Sequence, residues 1–250
     1  MDLIVLDDIP LQVEPGDLLQ RLQLPETSPQ AGEALSLLGQ ARGVGRPRAC
    51  FRLVEKGQKG EDFIVLGGVR FSSRLLRENL GQGEGPVAAF VATCGVELER
   101  WAESYEDLLL RFCAEEVCEL ALRCSFEAVS RRIDTALGAD TPAKSNMNPG
   151  SLQDWPLSQQ RQLFELVGDV RGAIGVELTG SFLMRPRKSL SGVRYSSAGR
   201  FVNCELCPRE KCRGRRAAFD EHLYESTFTG AGMQGWETAA CGECGEEAGR

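Results

Sequence analysis

Apolar positions along the chain fall into runs of changing period, and the changes mark out the elements. Leu3 to Leu6 and Leu11 to Val13 are short apolar runs around Asp7-Asp8-Ile9-Pro10, which predicts two strands and a turn. Glu14-Pro15-Gly16-Asp17 places a proline and acids where helices begin, and predicts a helix to about Leu24. Beyond Pro25-Glu26-Thr27-Ser28-Pro29, residues Ala34, Leu35, Leu37 and Leu38 supply the apolar stripe of a second helix, Gln30 to Ala41. Two β-rich runs, Ala49 to Val54 and Asp62 to Phe71, flank a polar segment from Glu55 to Gly60 and predict a hairpin. Ser72 or Ser73 is placed to cap a short helix to Leu80. Pro86 to Thr93 is continuously apolar, which predicts a strand covered on both faces.

From Val96 the period becomes helical. Trp101, Leu108, Leu109, Phe112, Val117, Leu120, Ala121 and Phe126 recur at that spacing to about Leu137. Cys113, Cys118 and Cys124 sit five and six residues apart there, a spacing that shares no helix face, so they read as small core hydrophobes. Residues 138–156, rich in Gly, Pro, Ser and Asn, predict a long loop. Ser158 caps a further helix with Leu163, Phe164 and Val167 inward. Leu178 to Tyr195 reads as a strand-like run broken by a Met-x-Pro step and a Ser-Leu-Ser-Gly-Val turn. A short helix is expected from Ala217 to about Tyr224, before a Gly-rich tail from Thr229. The pattern predicts an α/β domain over residues 1–203 and a Cys-rich C-terminal segment over 204–250.

Composition narrows the function class. With 42% hydrophobic and 26% charged residues, 250 residues suffice to bury a sizeable core. The net charge of −7 argues against a nucleic-acid partner, which needs a basic face. No apolar run reaches the ~18 residues of a membrane span. The acidic start lacks the pattern of a secretory signal, so a cytoplasmic location is expected. Ten cysteines in such a chain are expected to be thiols or metal ligands.

Two stretches carry candidate chemistry. Cys204-x2-Cys207-x4-Cys212 brings two thiolates onto one tight loop with a third close behind, a spacing suited to zinc or an iron–sulfur cluster. Cys241 and Cys244, or the single histidine His222, would complete the ligand set. His222 follows Glu221 in a charged helix and reads as solvated surface, so no Ser-His-Asp device is expected and no catalytic residue is assigned. Gly81 to Gly85 lacks the Gly-Lys-Ser/Thr of a phosphate loop.

The second stretch is Leu178-Thr179-x-Ser181-Phe182-x-Met184-x-Pro186-x-x-Ser189-Leu190-Ser191-Gly192-x-x-Tyr195. It resembles the signature of the activation (reactivation) domain of vitamin B12-dependent methionine synthase. The upstream order is also similar: a strand ending Ala-Thr-Cys-Gly, a long helix, a Pro-Gly loop and a Gln-x-x-Leu-Phe helix. The similarity covers about Val87 to Phe201, and the chain looks like a stand-alone short form of that domain.

The resemblance implies an α+β fold with a curved, mainly antiparallel sheet and flanking helices. It implies binding of S-adenosylmethionine by Pro149-Gly150 in one motif and by Met184, Pro186, Ser189, Ser191, Gly192 and Tyr195 in the other. The implied partner is a cobalamin-binding methyltransferase whose oxidised cobalamin is reductively methylated, with a separate electron donor. The chain departs from the family loop at Asn146, where an arginine is usual, and at Ser151, where a tyrosine is. The cysteine cluster lies outside the family pattern. It raises an alternative: a non-catalytic docking or electron-transfer module stabilised by zinc or an iron–sulfur cluster.

Overall fold

The computed structural model describes residues 1–81, 85–138, 143–197, 201–212 and 215–228. The first half runs β1 (Ile4–Leu6), α1 (Pro15–Leu22), α2 (Pro29–Val44), β2 (Arg48–Val54), β3 (Lys56–Lys59), β4 (Phe63–Leu66), β5 (Val69–Ser72), α3 (Arg74–Gly81) and β6 (Val87–Thr93). Then come α4 (Val96–Glu103), α5 (Leu108–Ala136), β7 (Ala143–Met147), α6 (Gln160–Val167), α7 (Val170–Ile174), β8 (Glu177–Leu178), β9 (Met184–Arg185), β10 (Ser189–Ser197) and α8 (Glu221–Phe228).

Five strands form the main sheet in the order β1-β2-β6-β10-β7, every neighbouring pair antiparallel. As its unbroken apolar run predicts, β6 is buried along its whole length. One face of the sheet carries Phe51, Ala88, Phe90 and Ala92, packed against Val129 and Ile133 of α5. Phe90 and Phe126 meet there with ring centroids 5.7 Å apart. Beyond it, α1, α2, α4 and the first half of α5 share a second cluster around Leu18, Leu38, Leu98 and Val117. The other face is covered by α6, which contacts β2 and β6, and by α7, which contacts β2. Local sequence starts two of the helices: the Ser28 hydroxyl accepts the Ala31 N–H, and the Asp107 carboxylate those of Leu109 and Leu110.

Several expectations need correcting. Leu11 to Val13 is no strand; Val13 instead packs into the helical cluster. The expected hairpin across Glu55–Gly60 does not form. β2 joins the main sheet, while β3 lies within that polar segment and pairs with β4, and β4 with β5 around Gly67-Gly68. The helical region from Val96 divides at residues 104–107, because Asp107 starts a new helix. The long loop contains β7, and Ser189 to Val193 is no turn but the first half of a continuous strand. The last helix begins at Glu221. Cys113 and Cys118 are buried core residues, as the sequence suggests, and Cys124 is half-buried.

The chain divides into two compact units between Asn203 and Cys204. Within the second, Asp220 N–H bonds to the Glu205 carbonyl at 2.9 Å. Phe219, Tyr224 and Phe228 form a row of rings with centroids 5.5 and 4.9 Å apart. No helix among the described residues is long and apolar enough to cross a membrane.

Candidate functional site

The Pro149-Gly150 loop directly follows β7, and the second motif ends in β10, the strand that pairs with β7. β10 pairs with β7 in the register Val193 to Met147, Arg194 to Asn146 and Tyr195 to Ser145. Gly192 is buried at the point of closest approach. A Cβ there would stand 2.5 Å from the Met147 carbonyl oxygen and 2.5 Å from Asn148 Nδ2. Glycine is therefore required by the chain's own backbone at this point. Asn148 closes the approach by donating its Nδ2 to the Ser191 carbonyl at 2.7 Å.

Pro149 is buried directly after this clamp, whereas Gly150 is exposed in the left-handed region with φ +78°. Gly150 N–H donates to the Trp155 carbonyl at 2.8 Å, and Trp155 packs edge-on against Phe71 of β5. The loop is pinned further by side chains on its far limb. The Asp154 carboxylate accepts from the Ser73 hydroxyl and from Leu75 N–H at 2.9 Å. Gln159 bonds both ways with Ser72, accepting its N–H at 2.9 Å and donating to its carbonyl at 2.6 Å. Ser73 also caps α3 by accepting the Leu76 N–H at 2.9 Å.

At the other end of β10, Ser189 donates to the Pro186 carbonyl at 2.7 Å and lies 2.9 Å from the Thr93 hydroxyl opposite it. Pro186 is buried and follows a cis peptide bond; Met184 before it is half-buried in β9. Gln160 Nε2 donates to the Phe182 carbonyl at 3.1 Å, tying the start of α6 to the β8–β9 hairpin. Leu183 at the hairpin tip is exposed.

Alternation along β10 separates the motif residues. Ser189, Ser191 and Tyr195 share one face; Leu190, Gly192 and Arg194 share the α5 face. Ser191 is buried, and its Oγ has no hydrogen-bond partner among the described residues. Burial pushes the Tyr195 phenol well above its ordinary range, with the Ser145 side chain opposing that shift. Arg194 grips both Asp134 carboxylate oxygens of α5 at 2.7 Å and the Asn146 Oδ1 at 3.0 Å. A guanidinium thus lies beside Asn146, supplied by the adjacent strand. Two clefts of about 480 Å³ lie away from the motif residues, one bordered by Lys59, Arg77 and Glu78, the other by Arg52, Glu55 and Glu165.

In the second unit, Cys204 and Cys207 are half-buried and Cys212 is exposed. Cys207 N–H donates to the Cys204 carbonyl at 3.3 Å, forming the tight loop that the Cys-x2-Cys spacing predicts. The Arg215 guanidinium holds this loop, donating to the carbonyls of Cys204, Cys207, Ala217 and Arg209. Burial raises the Cys204 thiol pKa. The Arg216 and Ala217 amides and the Arg216 charge outweigh that effect and hold it below the ordinary thiol range. Among the described residues, no three His, Cys, Asp or Glu side chains gather as a metal-ligand group. Cys241 and Cys244 lie outside the described residues, and His222 is exposed on α8.

Sequence reasoning missed Asp154, Gln159 and Asn148, the residues that set the Pro-Gly loop in place. Their only signal was polar residues in a loop, which does not say what they bond.

No family model and no curated protein matches the chain. Among solved structures it is similar to the crystal structure of the MetH reactivation domain bound to AdoHcy. The TM-score is 0.58 at 14% identity, covering 81% of this chain and 81% of that one. The chain therefore has the reactivation-domain fold, the mixed helical and antiparallel architecture expected from the motif resemblance.

Proposed function

We propose that the chain serves as a stand-alone reactivation subunit for a cobalamin-dependent methyltransferase such as methionine synthase. It holds S-adenosylmethionine while the partner's cobalamin accepts the methyl group and a separate donor supplies an electron. One observation carries this reading: the reactivation-domain fold spans four fifths of the chain, and the Pro-Gly loop leaves β7 beside β10, in which the second motif ends.

The residues present suit an S-adenosyl ligand. Gly150 and Ser151 expose their backbone at the end of a rigidly held loop, beside the partly exposed side chain of Leu157. Such a surface offers hydrogen bonds for polar edges and an apolar bed for a base. The chain's own contribution is to bind and orient, since the chemistry belongs to the methyl donor and the corrinoid. Methyl transfer makes an otherwise uphill one-electron reduction proceed, and S-adenosylhomocysteine is left behind.

The test is reconstitution. A cobalamin-bearing methyltransferase domain in its oxidised Co(II) form is mixed with the chain, S-adenosylmethionine and a reductant, and the visible spectrum is followed. Methylcobalamin formation that depends on the chain, with one S-adenosylhomocysteine released per methyl group, is expected. Equal rates with and without the chain would sink the reading.

A second reading is favoured by the clamped cysteine loop. In it, Cys204 and Cys207 would supply ligands for zinc or an iron–sulfur cluster in a docking or electron-transfer module, although the described residues assemble no group of three ligands. What supports it is the spacing and the Arg216 N–H bonded to Cys204 Sγ at 3.4 Å. Metal and sulfide analysis of anaerobically purified protein decides it, and a substoichiometric content would remove it.

A further inference from the structure

Leu108, Leu109 and Phe112 stand together on the first turns of α5, with 82%, 54% and 44% of their surfaces exposed. They are displayed by a formed helix. Asp107 accepts the N–H groups of Leu109 and Leu110 at 2.9 Å each, and Cys113, Ala114 and Val117 on the inner side are buried. Contiguous apolar surface held in water by rigid backbone marks an interaction site more often than scattered single side chains do.

The rim of this patch has a sign. Glu103, Glu106 and Asp107 are exposed beside it. The nearby cations are already engaged: Arg111 with Glu115 at 3.5 Å, Arg187 with Glu115 at 3.1 Å, and Arg21 with Glu116 at 2.7 Å. Glu106 and Asp107 make no ion pair among the described residues. A two-fold contact with a second copy would set this acidic rim against itself, which disfavours self-association.

The patch also borders the candidate site. Arg187, in the connection from Pro186 to β10, donates its backbone N–H to Glu99 of α4, and its side chain reaches Glu103 and Glu115. Glu115 lies one helical turn from Phe112. An occupant of the patch would therefore sit beside the segment that leads into β10.

We propose that the start of α5 is a docking surface for a protein face with an apolar centre and a lysine- or arginine-bearing rim, carried by the cobalamin-bearing partner. The identity of the partner rests on the reading above; the apolar and acidic character of the surface does not. Apolar burial at the centre supplies affinity, and the charged rim speeds and orients encounter.

Calorimetric titration of the full chain with a cobalamin-bearing domain of methionine synthase tests this. The probes are the Leu108→Ser/Phe112→Ser double variant and, separately, Glu106→Lys. Both alter exposed side chains, and thermal melts establish that each folds. About tenfold weaker binding is expected for the double variant. Glu106→Lys should weaken binding several-fold and flatten its dependence on salt. S-adenosylhomocysteine affinity should be unchanged in both. Wild-type-like partner binding by the variants overturns the docking surface and leaves the function standing. Failure of the wild type to bind the domain, with S-adenosylhomocysteine still bound, overturns the docking proposal and the partner while leaving the ligand site. Self-association abolished by the double variant would make the occupant a second copy and overturn the proposal as stated.

Discussion

Gly192 has no room for a side chain, because the Met147 carbonyl and the Asn148 amide already occupy that space. Gly192→Ala must push β7 away from β10 or break the Asn148 bond to Ser191. It should cost about 1–3 kcal/mol of stability, read as a lower urea midpoint at unchanged slope. An unchanged midpoint would mean the close approach is not rigid. Only part of this was legible in the letters. The sequence singled the glycine out as part of a turn and of a ligand motif, whereas the neighbour it approaches here is the chain itself. Cysteines divide by surroundings in a similar way. Burial pushes the Cys50 thiol up to about 12. A hydrogen bond with Cys118 together with burial raises Cys94 well above the ordinary range. These stay neutral core groups. Cys204, beside backbone amides, moves the other way.

At the scale of elements, the Pro-Gly loop owes its position to contacts far away in sequence. Asp154 bonds to the junction of β5 and α3, and removing its carboxylate leaves the buried Ser73 hydroxyl and the Leu75 N–H without their acceptor. Asp154→Ala should cost about 2 kcal/mol of stability and weaken S-adenosylhomocysteine binding, as calorimetry beside a denaturant titration would reveal. Loss of stability with full affinity would separate the loop from the ligand. Elements such as α2 and β6 were readable because their own apolar side chains form the core. β7 was not: Ala-Lys-Ser-Asn-Met carries little apolar signal, and it is a strand because β10 supplies its hydrogen-bonding partner. The Ser-Leu-Ser-Gly run failed for the same reason. Its turn-like residues pair with Thr93 to Phe90 of β6, and that pairing outweighs local preference.

On the scale of the whole molecule, fold and resemblance agree although identity to the MetH reactivation domain is only 14%. A sheet in the order β1-β2-β6-β10-β7 sets the motif strand between two neighbours, so few positions need to keep their letters for the architecture to persist. The acidic balance of −7 agrees with a negative rim around α5 and with a partner of opposite sign. The second unit adds a cysteine loop clamped by Arg215. The first unit is proposed to hold an S-adenosyl ligand beside β7 and β10. Calorimetric titration of the full chain with S-adenosylhomocysteine tests it most directly. One-site binding in the micromolar to low-millimolar range is expected, and Gly150→Val should weaken it, since a branched side chain at φ +78° would strain the loop and meet Leu157. Absence of binding at the upper end of that range, or binding indifferent to Gly150→Val, would contradict it.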